Sequence, residues 1–132
     1  MRSRLFVLLA SLAISSPALA DESCATRAAR LLAQGQTAEL AAWFQGSDAS
    51  VSQGLVHLAQ DLGLLDEVTP LAQLSEGRTR QLKVSAPGLA SDYSFQGSWA
   101  AARSQHLGRV EVQASVAPGA GCTLLALQVM VR

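Results

Sequence analysis

A histidine and an aspartate lie one helical turn apart in this sequence. His57 and Asp61 are four positions apart in a segment with helical spacing, so both side chains would share one face of that helix. An imidazole beside a carboxylate can act in general acid–base catalysis. The same spacing is also common for contacts on a helix surface. The spacing therefore makes His57 and Asp61 candidates for catalysis but does not assign them a catalytic role.

The two cysteines, Cys24 and Cys122, are predicted to form a disulfide that joins the first helix to the last strand. Two separate buried thiols are the alternative. A bond that closes a loop of about 100 residues stabilises by about 4.7 kcal/mol in the chain-entropy model. Neither cysteine has a neighbouring histidine, so no metal site is predicted. The sequence has no phosphate-binding glycine loop, zinc-protease motif or calcium loop, and no cofactor is expected.

The first 20 residues have the pattern of a secretory leader. Arg2 and Arg4 precede an apolar run over residues 5–14, and Ala18-Leu19-Ala20 resembles a cleavage site. We predict cleavage after Ala20, export to the periplasm or beyond, and one domain over residues 21–132. Without Arg2 and Arg4 the balance is eight basic against ten acidic side chains, or −2. This charge disfavours nucleic-acid binding, and no later segment is apolar for long enough to span a membrane.

Apolar residues at three- and four-residue steps predict three helices before Pro70. The first begins near Ser23 and ends before Gly35, and the second has Thr37 as its N-cap. The third carries one apolar stripe, which consists of Val51, Leu55, Leu58 and Leu62.

The ends of the third helix are also predicted from local residue types. Ser47, Asp48 or Ser50 can cap its start. Gly63 is expected to end it, and Leu64 is expected to pack back on the helix as in a Schellman motif.

After Pro70 the spacing becomes two-fold, which predicts antiparallel strands that are buried on one face. Three strands have an apolar side, formed by Leu82, Val84 and Ala86, by Tyr93, Phe95, Gly97 and Trp99, and by Val110, Val112, Ala114 and Val116. The last strand, residues 123–131, is apolar on both sides, and its predicted core residues are Leu125, Leu127, Val129 and Val131. A further short strand at residues 71–74 is left open.

These elements predict an α+β fold, in which three N-terminal helices pack on one face of a curved antiparallel sheet of four to five strands. A small apolar pocket is expected between the third helix and the sheet. Its predicted lining consists of Leu55, Leu58, Tyr93, Phe95 and Trp99.

The opposite face of the sheet is predicted to be polar but nearly uncharged. Its expected members are Gln81, Ser85, Ser94, Gln96, Ser98, Gln113, Ser115 and Gln128, with an apolar strip of Leu124, Ala126 and Met130. Such a face suits a protein partner or a second copy of the chain, and it equally suits plain solvation. Arg78 and Arg80 could hold an anionic group or protect a strand edge.

A resemblance to a known superfamily rests on two segments. Ala29-Arg30-Leu31-Leu32-Ala33-Gln34-Gly35-Gln36, followed by Leu40-Ala41-Ala42-Trp43-Phe44, is similar to the opening of the nuclear-transport-factor-like (ketosteroid-isomerase-like, SnoaL-like) superfamily. The order of helices and strands, and the strand pair around Trp99 and Leu125, fit the same pattern. The resemblance implies a cone-like sheet wrapped around a helix. A cystatin-like arrangement is the competing interpretation.

Ketosteroid isomerases use an acidic base with a tyrosine donor, so the resemblance also makes Tyr93 a catalytic candidate, with Asp61 or Asp92 as base. Strand alternation places Asp92 and Tyr93 on opposite sides, which argues against that pair.

The sequence thus predicts a non-enzymatic periplasmic binding or protein-interaction module. It would act as a homodimer or with a protein partner through the outer sheet face, or with a small apolar ligand in the pocket. A small isomerase or hydratase that uses His57 or Asp61 with Tyr93 is one alternative. An exported immunity or inhibitor protein is another.

Overall fold

The computed structural model describes residues 22–46, 48–75 and 80–132, and within them it has three helices and a five-stranded antiparallel sheet. The elements in chain order are α1 (Cys24–Ala33), α2 (Thr37–Ala42), α3 (Ala49–Leu62), β1 (Leu65–Leu71), β2 (Arg80–Ser85), β3 (Gln96–Ser104), β4 (Gly108–Val116) and β5 (Leu124–Val131). The α+β class is confirmed. The predicted leader, Ser47 and Arg78 lie outside the described residues.

Short polar side chains begin the first and third helices. The Ser23 hydroxyl accepts a hydrogen bond from the Thr26 amide at 3.1 Å and caps α1. Asp48 caps α3, since its carboxylate accepts from the amide and the hydroxyl of Ser50. These hydrogen bonds, led by the one from the Ser50 side chain, hold the pKa of Asp48 below its ordinary value. The predicted stripe of α3 is confirmed, because all four of its residues are buried.

Two details of the predicted helix ends are wrong. Thr37 is the first residue of α2, and the preceding Gln36 is its N-cap. Leu64 does not pack on α3, because its side chain is 75% exposed. Gly63, at φ +68°, turns the chain directly into β1, and the Leu64 amide donates to the Gln105 side chain at 2.9 Å.

The strand order is β1-β3-β4-β5-β2, and every neighbouring pair is antiparallel. Strands that follow one another in sequence are therefore neighbours only among β3, β4 and β5. β1 pairs with β3 and β2 pairs with β5, so the first two strands occupy opposite edges. β1 also starts at Leu65, earlier than predicted, and Pro70 lies within it, as an edge strand permits.

The helices cover one face of the sheet, which we call the inner face. The alanines of α1 (Ala25, Ala28 and Ala29) share a buried cluster with Ala100 and Ala102 of β3. Because strand side chains alternate, Trp99 points to the other, outer face, which is opposite to the prediction. The physical reason is size, since an alanine-faced helix packs closely on small residues and leaves no room for an indole.

The inner face of β5 differs from the prediction by one residue at its start. Leu124, Leu127, Val129 and Val131 belong to the core cluster, whereas Leu125 does not. The register shifts between Ser115 and Val116 of β4, which pair with Ala126 and Leu124, so Leu125 is an extra residue in β5. This bulge turns Leu124, rather than Leu125, toward the helices.

Candidate functional site

The predicted disulfide is present and joins the start of α1 to the residues just before β5. Cys24 and Cys122 are bonded across 98 positions of sequence. The Arg27 guanidinium lies 3.5 Å from the Cys122 sulfur and 5.2 Å from the ring centre of Trp43. Because both sulfurs are in the bond, neither can act as a thiolate nucleophile.

The five residues predicted to line one pocket are divided between different regions. Leu55 and Leu58 are buried in the core under α3. Trp99 lies on the outer face, where Phe95 also lies, and Phe95 is 46% exposed. Tyr93 lines a separate groove of about 270 Å³ beside the loop that leads from β2 to β3.

The three catalytic candidates are not assembled either. His57 and Asp61 are exposed on α3 and line a groove of about 230 Å³ between α3 and β2. Within the described part of the chain no ion pair or hydrogen bond joins their side chains. Tyr93 is in the other groove, so the geometry provides no matched proton donor and acceptor from this trio.

The outer face carries a row of uncharged hydrogen-bonding side chains across the centre of the sheet. Trp99 pairs in register with Gln113, and Gln113 pairs with Gln128. We call these three residues the amide row. Leu71 of β1 and Lys83 of β2 continue the same register at the two edges. Gln128 accepts a hydrogen bond from the Gln81 side chain at 2.6 Å.

An aromatic surface lies beside the amide row. A β-carbon at Gly97 would lie 3.6 Å from the Phe95 ring, 3.9 Å from Trp99 and 3.8 Å from the Gln113 amide nitrogen. The ring centres of Phe95 and Tyr93 are 5.3 Å apart. Phe95, Trp99 and the Gln113 amide therefore lie within contact distance of one point above Gly97.

Two buried polar atoms on this face have no hydrogen-bond partner among the described residues. They are the Trp99 indole nitrogen and the Ser115 hydroxyl. Both belong to outward-facing positions, because Trp99 pairs with Gln113 and Ser115 pairs with Gly97. Such atoms are uncommon in folded proteins, and each is a hydrogen-bonding group that the fold itself leaves unused.

Glu111, on β4, is completely buried although it lies on the outer face. Its carboxylate accepts hydrogen bonds from the Ser75 amide at 2.9 Å and the Ser75 hydroxyl at 2.6 Å. The Arg109 guanidinium is 3.8 Å away, and Arg132 donates to the Ser75 carbonyl at 3.0 Å. Ser75 follows β1, which lies at one edge, so the chain after β1 reaches the outer face at the central strand.

Burial raises the pKa of Glu111, but the hydrogen bonds from Ser75 and the charges of Arg132 and Arg109 outweigh it. The pKa of Glu111 is therefore held below its ordinary value, and the group stays ionised at neutral pH. A charged, fully paired carboxylate suits a structural anchor better than a proton-transfer group.

Sequence reasoning missed this anchor. Glu111 alternates with Val110 and Val112, and a glutamate at such a position is ordinarily solvated. The partner that buries it, Ser75, is 36 positions away in a connection without periodicity. No local pattern could have joined the two residues.

Within residues 22–46, 48–75 and 80–132, no group of three His, Cys, Asp or Glu side chains is arranged to hold a metal ion. None of the described helices is both long and apolar enough to cross a membrane.

Comparison with known proteins found no matching family model, no matching curated protein and no matching solved structure. The likeness to the nuclear-transport-factor-like superfamily, with its cone-like sheet, therefore stays a prediction.

Proposed function

We propose that this protein is an exported, non-enzymatic interaction module that binds a partner protein through the outer face of its sheet. The observation that carries the proposal is the combination, on one face, of exposed Phe95 with the amide row of Trp99, Gln113 and Gln128. Aromatic rings supply contact area at low entropic cost, and amides supply adaptable hydrogen bonds.

The charge distribution on this face supports the same function. The amide row has no ionised side chain, and Lys83 enters the register only at the β2 end. Interface centres in protein complexes are depleted in charge and enriched in aromatic residues.

Export to the periplasm is part of the proposal. The disulfide between Cys24 and Cys122 supports it, since such bonds persist in oxidising compartments. The leader-like pattern of the first 20 residues points the same way.

The isomerase or hydratase alternative has less support, because His57 and Asp61 line one groove and Tyr93 lines another. No described residue specifically favours an immunity or inhibitor role.

The proposal is tested by capture from a periplasmic extract, with identification by mass spectrometry and measurement of complex mass by light scattering. We expect a stoichiometric heterocomplex with the wild-type protein. Phe95→Ser should abolish it, because the change removes the exposed ring from the outer face.

Val56→Ser is the matched control, since Val56 is 43% exposed on α3 and Phe95 is 46% exposed on the outer face. The control should bind as the wild type does. Equal loss of binding in both variants, or a complex made only of this chain, would contradict the proposal.

A further inference from the structure

The free side of β2 (Arg80–Ser85), which we call the β2 edge, has no strand paired with it among the described residues. Its other side pairs with β5 at six consecutive positions without a register shift. Alternate residues of such a strand direct their amide and carbonyl groups away from the sheet. A straight, regular edge of this kind can accept a further strand.

The groove between α3 and β2 runs along the same edge. Leu82, Lys83 and Val84 all line it. Because consecutive strand side chains point to opposite faces, a groove that touches three in succession must follow the backbone itself. Leu82 is half-buried, so an apolar side chain has a contact there.

The opposite wall of the groove is formed by α3. Leu58 and Val84 are almost completely buried and close its base, while His57 and Asp61 are exposed at its rim. Gly54 keeps the helix close to the strand, since a β-carbon there would lie 3.3 Å from Val84. The site is therefore a strand edge with a shallow, partly apolar groove beside it.

The charged side chains of β2 favour a negatively charged partner. Arg80 and Lys83 are exposed, and neither has an ion pair or hydrogen bond with another side chain in the described part of the chain. The other arginines nearest the sheet are paired, Arg103 with Glu67 and Arg109 with Glu111. Among the described residues, two cations without a side-chain partner stand against one carboxylate, Asp61, so this part of the edge is positive.

We propose that the β2 edge binds an extended acidic peptide segment of a partner protein, which adds as a sixth strand. Its backbone pairs with β2, its apolar side chains contact Leu82 on the helix side of the sheet, and its carboxylates, on the other side, face Lys83. The strand pairing at this site uses the free backbone groups of β2, whereas the proposed function uses the centre of the outer face, and neither proposal requires the other.

A second copy of the chain is a poorer occupant of the same edge. It would bring its own Arg80 and Lys83 against those already there, and like charges on neighbouring strands destabilise pairing. Lysine on an edge strand is a known device against self-association. An acidic strand turns the same charges into an attraction.

The test measures the affinity of the oxidised protein for fluorescent peptides by anisotropy at low ionic strength. The acidic probe alternates valine with glutamate, and two matched probes replace glutamate by lysine or carry N-methyl groups on alternate backbone nitrogens. We expect the acidic probe to bind, and both matched probes to bind at least about fivefold more weakly. NMR should place the shifts at residues 81–85.

Lys83→Glu should weaken the acidic probe by about fivefold, an effect that shrinks at high salt. Arg103→Glu, the matched charge reversal near the other edge, should leave the affinity unchanged. The proposal is overturned if no probe binds, if the acidic and lysine probes bind alike, if the N-methylated probe binds as well as the parent, or if the β2 edge proves occupied by a second copy.

Discussion

The two edges of this sheet solve the problem of unpaired backbone groups in different ways. β1 is irregular, because its register with β3 shifts between Asp66 and Thr69 and Glu67 has a positive φ of 55°. Pro70 also removes one amide from β1. β2 pairs regularly with β5 and contains no proline or bulge.

The difference teaches that one edge is closed by backbone shape and the other only by charge. A bulge and a proline exclude any further strand, whatever its sequence. Arg80 and Lys83 exclude only strands that are themselves positive. β1 is therefore a terminal edge, whereas β2 is a selective one.

The largest expected effect comes from removing the disulfide with Cys24→Ser and Cys122→Ser. The free energy of unfolding should fall by about 4 kcal/mol, because the bond closes a loop of nearly 100 residues. α1, which the bond anchors, packs on β1 and β3, whereas α3 packs on β2. Hydrogen exchange should therefore show earlier loss of protection in β1 than in β2. Reduced wild-type protein is the control, and uniform loss of protection would contradict this asymmetry.

The next effect concerns Glu111, which anchors Ser75 on the outer face. Glu111→Ala should lower the free energy of unfolding by about 3 kcal/mol, because Ser75 and two guanidinium groups lose a buried partner. Glu111→Gln, which keeps one acceptor, should cost about half as much. Denaturant unfolding measures both variants. Equal stability of Glu111→Ala and wild type would show that Ser75 does not depend on the carboxylate.

The same residue predicts acid sensitivity. The pKa of Glu111 is lower in the folded than in the unfolded protein. The carboxylate therefore makes its full contribution to the free energy of unfolding above the unfolded pKa of about 4.3. It is lost as the pH falls from there through the folded pKa, because the unfolded chain then binds the proton first. Unfolding curves between neutral and acidic pH should show this slope in the wild type. Glu111→Gln should remove the part of this pH dependence that Glu111 causes. An unchanged slope in this variant would show that Glu111 is not its source.

The smallest effect concerns the bulged edge. Glu67→Gly should raise the free energy of unfolding by about 0.5 kcal/mol, because glycine adopts a positive φ without strain but loses more entropy on folding. The ion pair lost with Arg103 matters little, since both side chains are about two-thirds exposed. Asp66→Gly, one residue earlier, is the control and should destabilise. Thermal unfolding compares them, and a loss of stability in Glu67→Gly would mean that the bulge is not strained.

The elements set by local pattern were predictable, and those set by long-range pairing were not. The apolar stripe of α3, the caps at Ser23 and Asp48 and the disulfide follow from residue types and spacing. Which side of β3 faces the helices did not follow from them, because both Trp99 and Ala100 are residue types that are often buried. Only the packing of the α1 alanines on Ala100 selects the side that faces the core.

The candidate site was predictable only as a general surface. Gln113 and Gln128 were assigned correctly to the outer face from alternation. That Phe95 and Trp99 join them depends on the orientation of β3. The β2 edge depends on strand order, which two-fold alternation does not encode, since the pairing of β2 with β5 spans more than 40 positions.

The disulfide also determines how the molecule responds to mechanical force. When force is applied between Glu22 and Arg132, tension passes through the covalent bond and bypasses the 98 positions that it encloses. In the oxidised protein only the few residues outside the loop can extend, so a pulling experiment would record a short lengthening. Reduction would release about 300 Å of additional contour length. The redox state would thus switch the elements from α1 to β4 between shielded and load-bearing, whereas β5, which lies outside the loop, carries the force in both states.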